Sequence, residues 1–127
     1  MHLPPETESG NIEYKLKIIP ENQTRLIRLS TQLKWRCLEG NGLAIYFIGI
    51  TDTGKIEGIT PDEFNQSMTN LGKMVALNKG MILQNTINKL ENGNLWSTIF
   101  ILNYDISNTK QNSVTYTFSN LPDLLSE

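Results

Sequence analysis

The sequence predicts an α+β fold, with two helices packed on a mixed, mostly antiparallel β-sheet. Three observations predict it. Two stretches repeat apolar residues at three- and four-residue spacing, as amphipathic helices do. The other apolar stretches alternate at period two or run continuously for a few residues between turn signals, as strands do. The order that results, β-α-β-β-α-β-β-β, is neither strictly alternating nor segregated. With 127 residues there is room for one domain and one core. Residues 1–10 read as an extended lead-in, 11–120 as the domain and 121–127 as a tail.

Pro4 and Pro5 exclude a helix from the lead-in. From Ile12 the chain alternates: Ile12, Tyr14, Leu16 and Ile18 against Glu13, Lys15 and Lys17. That predicts a strand with one buried and one charged, solvated face, ended by Pro20. Glu21 to Glu39 predicts the first helix, with Asn22 placed to cap it and Gly40 to end it. Leu26, Leu29, Leu33 and Cys37 form its core stripe. Arg25, Arg28, Gln32 and Arg36 repeat at the same spacing on a stripe expected to face water, and Trp35 lies off the apolar centre.

Leu43 to Ile50, LAIYFIGI, predicts a central strand covered on both faces. Thr51-Asp52-Thr53-Gly54 predicts a turn, and Lys55 to Ile59 a short returning strand. Thr60-Pro61-Asp62-Glu63 is a helix start: a Thr N-cap, Pro at the first helical position, and Glu closing a capping box. Phe64, Met68, Leu71 and Val75 continue this second helix, expected to stop at Gly80. Met81 to Leu90 and Leu95 to Tyr104 flank Asn92-Gly93 and predict a hairpin. A loop, Ser107 to Ser113, precedes an alternating strand, Val114 to Phe118, and Leu121 to Glu127 is the tail.

Composition narrows the function. The net charge of −2 provides no global attraction for nucleic acid or an anionic membrane. Cys37, the single cysteine, excludes an internal disulfide and a cysteine-rich zinc site, and its place on the core stripe marks a buried structural thiol. MHLPPETESG lacks the charged and apolar regions of a signal peptide, and Leu43 to Ile50 is too short to span a bilayer. A cytoplasmic setting without a membrane partner is the expectation; the sequence says nothing of oligomeric state. GxxxxGK[ST] and GxGxxG are both missing, so Gly49, Gly54 and Gly58 read as turn and packing glycines. His2 stands without a partner for triad or metal chemistry and reads as an inert terminal residue.

Two clusters remain. One is basic: Lys15, Lys17, Arg25, Arg28, Lys34 and Arg36 hold six of the eleven Lys and Arg residues, with Trp35 and Tyr14 close in sequence. Phosphate backbones are bound by such clusters, so RNA or the ribosome is an expected partner. The other is acidic: Glu8, Glu13 and Asp52, from a strand and a neighbouring turn, are candidates to hold Mg²⁺ or Mn²⁺. An exposed Trp35 would suit the anchor of a protein-interaction module.

Leu3-Pro4-Pro5-Glu6, GNIEYKLK, TQLKWRCLEG and YFIGITDTGKIEGI together resemble the N-terminal region of the elongation-factor-like GTPases called GTP-binding protein 1 and GTP-binding protein 2. The resemblance runs without a gap from Leu3 to about Ile59 and weakens to about residue 80. It implies an accessory domain of a translation-type GTPase, docking on RNA, the ribosome or an RNA-decay partner. GTP and Mg²⁺ would belong to a GTPase domain that begins, in that family, with a phosphate-binding loop. Neither that loop nor an Asn-Lys-x-Asp guanine reader occurs in these residues, so the resemblance implies no catalytic residue and no cofactor here. A shorter resemblance, to Schlafen-type domains, implies an alternative: a metal-dependent RNase with Glu8, Glu13 and Asp52 as its acidic triad.

Overall fold

In a computed structural model, residues 2–109 are described. They form β1 (Ile12–Lys15), α1 (Gln23–Glu39), β2 (Leu43–Ile48), α2 (Pro61–Leu77), β3 (Gly80–Lys89), β4 (Leu95–Asn103) and a short α3 (Tyr104–Thr109). The strand expected at Val114 to Phe118, the tail and most of the loop before them lie outside the described residues.

Local chemistry sets most boundaries where the sequence places them. The Asn22 side chain accepts a hydrogen bond from the Arg25 backbone N–H at 2.9 Å, starting α1, and Gly40 closes it. Thr60 and Glu63 form both halves of the capping box of α2. That helix ends at Leu77, earlier than Gly80. Asn78 caps it, Lys79 takes a φ of +54°, and Gly80 already belongs to β3.

The sheet has the order β1-β2-β4-β3. β1 and β2 are parallel and joined through α1, while β2–β4 and β3–β4 are antiparallel. α1 and α2 lie on one face. Their apolar stripes, including Leu26, Leu29, Leu33, Leu71 and Met74, meet Ala44, Tyr46 and Ile48 of β2 and Ile99 and Ile101 of β4. The opposite face buries a second cluster, Tyr14, Ile45, Phe47, Ile50 and Phe100, against which Leu3 and Ile56 pack. Among the described residues no helix covers this face; the N-terminal segment and the 49–59 connection do. Tyr14 meets Phe47 edge-on, with ring centroids 5.5 Å apart.

Three expectations are corrected. The first strand ends at Lys15, because Ile18 is held by α2: its N–H donates to Ser67 Oγ at 2.9 Å and its carbonyl accepts from Asn70 at 2.9 Å. Lys55 to Ile59 is not a strand. It makes single bridges, Ile50 with Ile56 and Ile59 with Leu95, because Gly54 and Gly58 turn the chain with φ of +92° and +74°. Tyr104 leaves the sheet to start α3, whose Ile106 N–H is held by Asn103 Oδ1 at 3.1 Å.

Tyr46 is fully buried, and its hydroxyl meets no hydrogen-bond partner. Burial pushes that phenol far above its ordinary range. An orphaned buried hydroxyl costs about 1–3 kcal/mol. Tyr46→Phe is therefore expected to leave stability unchanged or raise it by about 1 kcal/mol in urea unfolding. A loss of similar size would show that the hydroxyl has a partner in solution.

Candidate functional site

Several candidate residues meet near the C-terminal end of α1, beside β1. Sequence periodicity puts Arg36 on a solvated stripe with Arg25 and Arg28, but β1 runs beneath this end of the helix. Arg36 is only 7% exposed and Glu13 only 2%. The Arg36 Nε–H donates to Glu13 Oε1 at 2.9 Å. Its Nη1 donates to the Gly10 carbonyl at 2.8 Å and approaches that of Glu8 at 3.4 Å, and its Nη2 donates to the Thr7 carbonyl at 2.8 Å. The guanidinium fork is thus spent inside the protein. Arg36 is removed from the RNA-contact set, and Glu13 from the solvated face expected of the first strand. Both carry charge with a helical or strand period, and only the packing of α1 on β1 distinguishes them from exposed neighbours.

The carbonyls that Arg36 holds belong to the extended lead-in, which residues 2–10 form into a strap. His2 forms a bridge with Lys55, so the strap is paired from its second residue. Leu3 N–H donates to the Gly54 carbonyl at 2.7 Å, and Glu6 N–H to that of Asp52 at 2.9 Å. Tyr14 Oη donates to the Pro4 carbonyl at 2.7 Å. A Cβ at position 54 would stand 2.1 Å from the Leu3 carbonyl oxygen, so this crossing requires glycine. The strap also delivers Glu6, whose carboxylate accepts the Tyr14 backbone N–H. Burial, then a hydrogen bond with Glu13, then the charges of Glu13 and Asp52 raise the Glu6 pKa from 4.5 to about 7, against the opposing Tyr14 N–H. Arg36 Nη2, 4.0 Å from Glu6, is too remote to reverse this, since its nearer partners are Glu13 and the Thr7 carbonyl. Glu6 was visible in the sequence only as the end of the Leu3-Pro4-Pro5-Glu6 motif.

The proposed acidic triad is not brought together as a metal site. Glu8 and Asp52 are exposed, whereas Glu13 lies buried against Arg36. Among the described residues, no group of three or more His, Cys, Asp or Glu side chains is arranged to hold a metal ion. Cys37 is buried, and burial pushes its thiol up to about 11, the opposite of what a nucleophile needs.

The basic residues divide. Lys15, Lys17 and Arg25 line one groove of about 200 Å³, floored by Ile18 and Ile19. Lys17 Nζ is 3.0 Å from Glu63, and this ion pair, with the Thr60 hydrogen bonds, holds the Glu63 carboxyl below its ordinary range. Lys15 Nζ is 3.7 Å from Glu13. Arg25 and Arg28 are exposed. Lys34 is exposed but lies apart, in a cavity shared with Leu77, Lys79 and Asp105. Trp35 is exposed, as an anchor would be, at 64%. It borders a second cavity, of about 190 Å³, with Glu8, Gln32, Arg36 and Glu39. Among the described residues, no helix is long and apolar enough to cross a membrane.

Comparison with known proteins supports the family read from the motifs. Over 73 residues, 58% of the chain, the sequence is 48% identical to GTP-binding protein 2 of mouse and of human. The match spans about 12% of the length of these relatives. No family model matches the chain, and no solved structure does.

The Glu6 carboxyl generates a pH prediction. A carboxyl whose pKa is raised by folding stabilises the fold fully below about pH 4.5, and loses that contribution as pH rises through about 7. Glu6→Gln, which stays uncharged, should flatten the fall in stability over that window in urea titrations at successive pH values. An identical slope in variant and parent would contradict the assignment.

Proposed function

We propose that this domain, related to GTP-binding protein 2, is a docking module that binds RNA phosphates, on the ribosome or on an RNA-decay partner. The observation that carries this reading is the convergence of Lys15, Lys17 and Arg25 on one groove at the N-terminal end of α1. Two further features favour an anion there. The first turn of α1 holds no acidic residue, whereas that of α2 holds Asp62 and Glu63. Its positive dipole end is therefore left open to an external negative charge. Arg28 extends the basic surface one turn along the helix. Glu21 at the groove edge and Glu63 beside Lys17 limit the field, so the groove suits a few phosphates and not a long duplex.

No residue of the chain forms the phosphate-binding loop of a GTPase. Nucleotide and Mg²⁺ chemistry is assigned to a part of the relatives that this chain does not cover. In a longer protein, the domain would bring a GTPase to its RNA-bearing target.

The variant Lys17→Glu, Arg25→Glu, Arg28→Glu changes three exposed side chains and leaves the Arg36–Glu13 pair intact. It is expected to weaken binding to a single-stranded RNA oligonucleotide and to purified ribosomes by about tenfold or more at ~50 mM salt. The parent's affinity should fall steeply with added salt, and the variant's should fall less. Equal affinities, or no measurable binding by the parent at low salt, would overturn the reading.

A further inference from the structure

The cavity at the opposite end of α1 has a different chemistry. It is bounded by Trp35, by Gln32 and Glu39 of the same helix, and by Glu8 of the strap. α1 has 17 residues and is about 25 Å long, so this cavity and the basic groove use separate ends of one helix. The side chains of Glu8 and Glu39 make no ion pair with any described residue. The positive charge that reaches the cavity floor, Arg36, is already matched by Glu13 and by the carbonyls of Thr7 and Gly10. Gln32 Oε1 is buried and accepts no hydrogen bond. The Trp35 ring is exposed beside them. Two carboxylates without an ion-pair partner and an exposed π face border the cavity, so a fitting guest is a donor-rich cation.

We infer that this cavity receives the arginine side chain of a protein partner. A guanidinium is planar, stacks on an indole face and donates along its edges. Stacked on Trp35, it would direct its N–H groups toward the Glu8 and Glu39 carboxylates. An ammonium offers no plane to stack. A nucleobase could stack on Trp35, but its phosphates would meet two unneutralised carboxylates. The strap makes the site conditional: Glu8 borders it because Arg36 grips the Thr7 and Gly10 carbonyls on either side. The inference stands apart from RNA docking, since it uses none of the groove residues.

The test follows the two indole N–H resonances of the full chain, Trp35 and Trp96, by NMR during titration with acetyl-Gly-Arg-Gly-amide. Trp35→Phe assigns the signals. The expected result is a saturable shift of the Trp35 resonance with Trp96 unmoved, and no shift with the matching citrulline peptide. Glu8→Gln with Glu39→Gln should weaken the arginine peptide by about tenfold, and both positions are exposed, so the fold persists. The Lys17, Arg25, Arg28 triple variant should bind the peptide like the parent, which separates this site from the RNA groove. Four results would each overturn the inference: no shift with the arginine peptide, an equal shift with citrulline, full affinity in the double variant, or a Trp35 shift produced by the RNA oligonucleotide.

Discussion

The ion pair between Arg36 and Glu13 fixes where the strap, the first strand and the first helix meet. Removing two charges from water costs several kcal/mol per ion unless hydrogen bonds satisfy the remainder. Here they do: Arg36 also donates to carbonyls of Thr7 and Gly10. The strap thereby reaches the far face of the sheet, where Leu3 packs against the Tyr14 and Phe47 cluster that no helix among the described residues covers. Without the strap, that aromatic face would lose the cover that Leu3 gives it. The pair therefore contributes more to placement than to net stability, and the raised pKa of Glu6 follows first from its burial and then from the Glu13 carboxyl beside it.

The same pair divides the surface of α1. With Arg36 turned inward, the basic residues left outside lie toward the N-terminal end, where they join Lys15 and Lys17. At the C-terminal end the strap supplies Glu8, and the exposed groups become acidic and aromatic. One helix thus borders two chemically opposite surfaces, the basic groove for which we propose RNA and the acidic, aromatic cavity for which we propose an arginine.

Much of the fold was legible because it is written locally. The Thr60 to Glu63 capping box, the Asn22 cap, the Asn92-Gly93 turn and the Leu26, Leu29, Leu33, Cys37 stripe depend on residues close in sequence. The α+β class and the central, doubly covered β2 followed from them. What was missed depends on distant residues. Glu13 has the alternation of a solvated charge and Arg36 the spacing of Arg25 and Arg28, yet the two neutralise each other inside. Ile18 continues the period of β1, but its N–H donates to Ser67 and its carbonyl accepts from Asn70, far along the chain, which draws it to α2. Glu6 gains its altered acidity only because the strap folds back over Asp52 and Gly54. Of the basic cluster, the Lys15, Lys17 and Arg25 part was readable from sequence proximity, and the displacement of Lys34 was not.

The most direct test of the central role of the pair is native-state hydrogen exchange in Arg36→Met with Glu13→Leu, which replaces both charges by apolar groups of similar size and avoids leaving one buried charge alone. The strap amides of Leu3 and Glu6 should lose their protection, while the amides of Ile99 and Ile101 in β4 keep theirs. Unchanged protection at Leu3 and Glu6 would contradict the account, showing that the strap is held by its own backbone hydrogen bonds and not by Arg36.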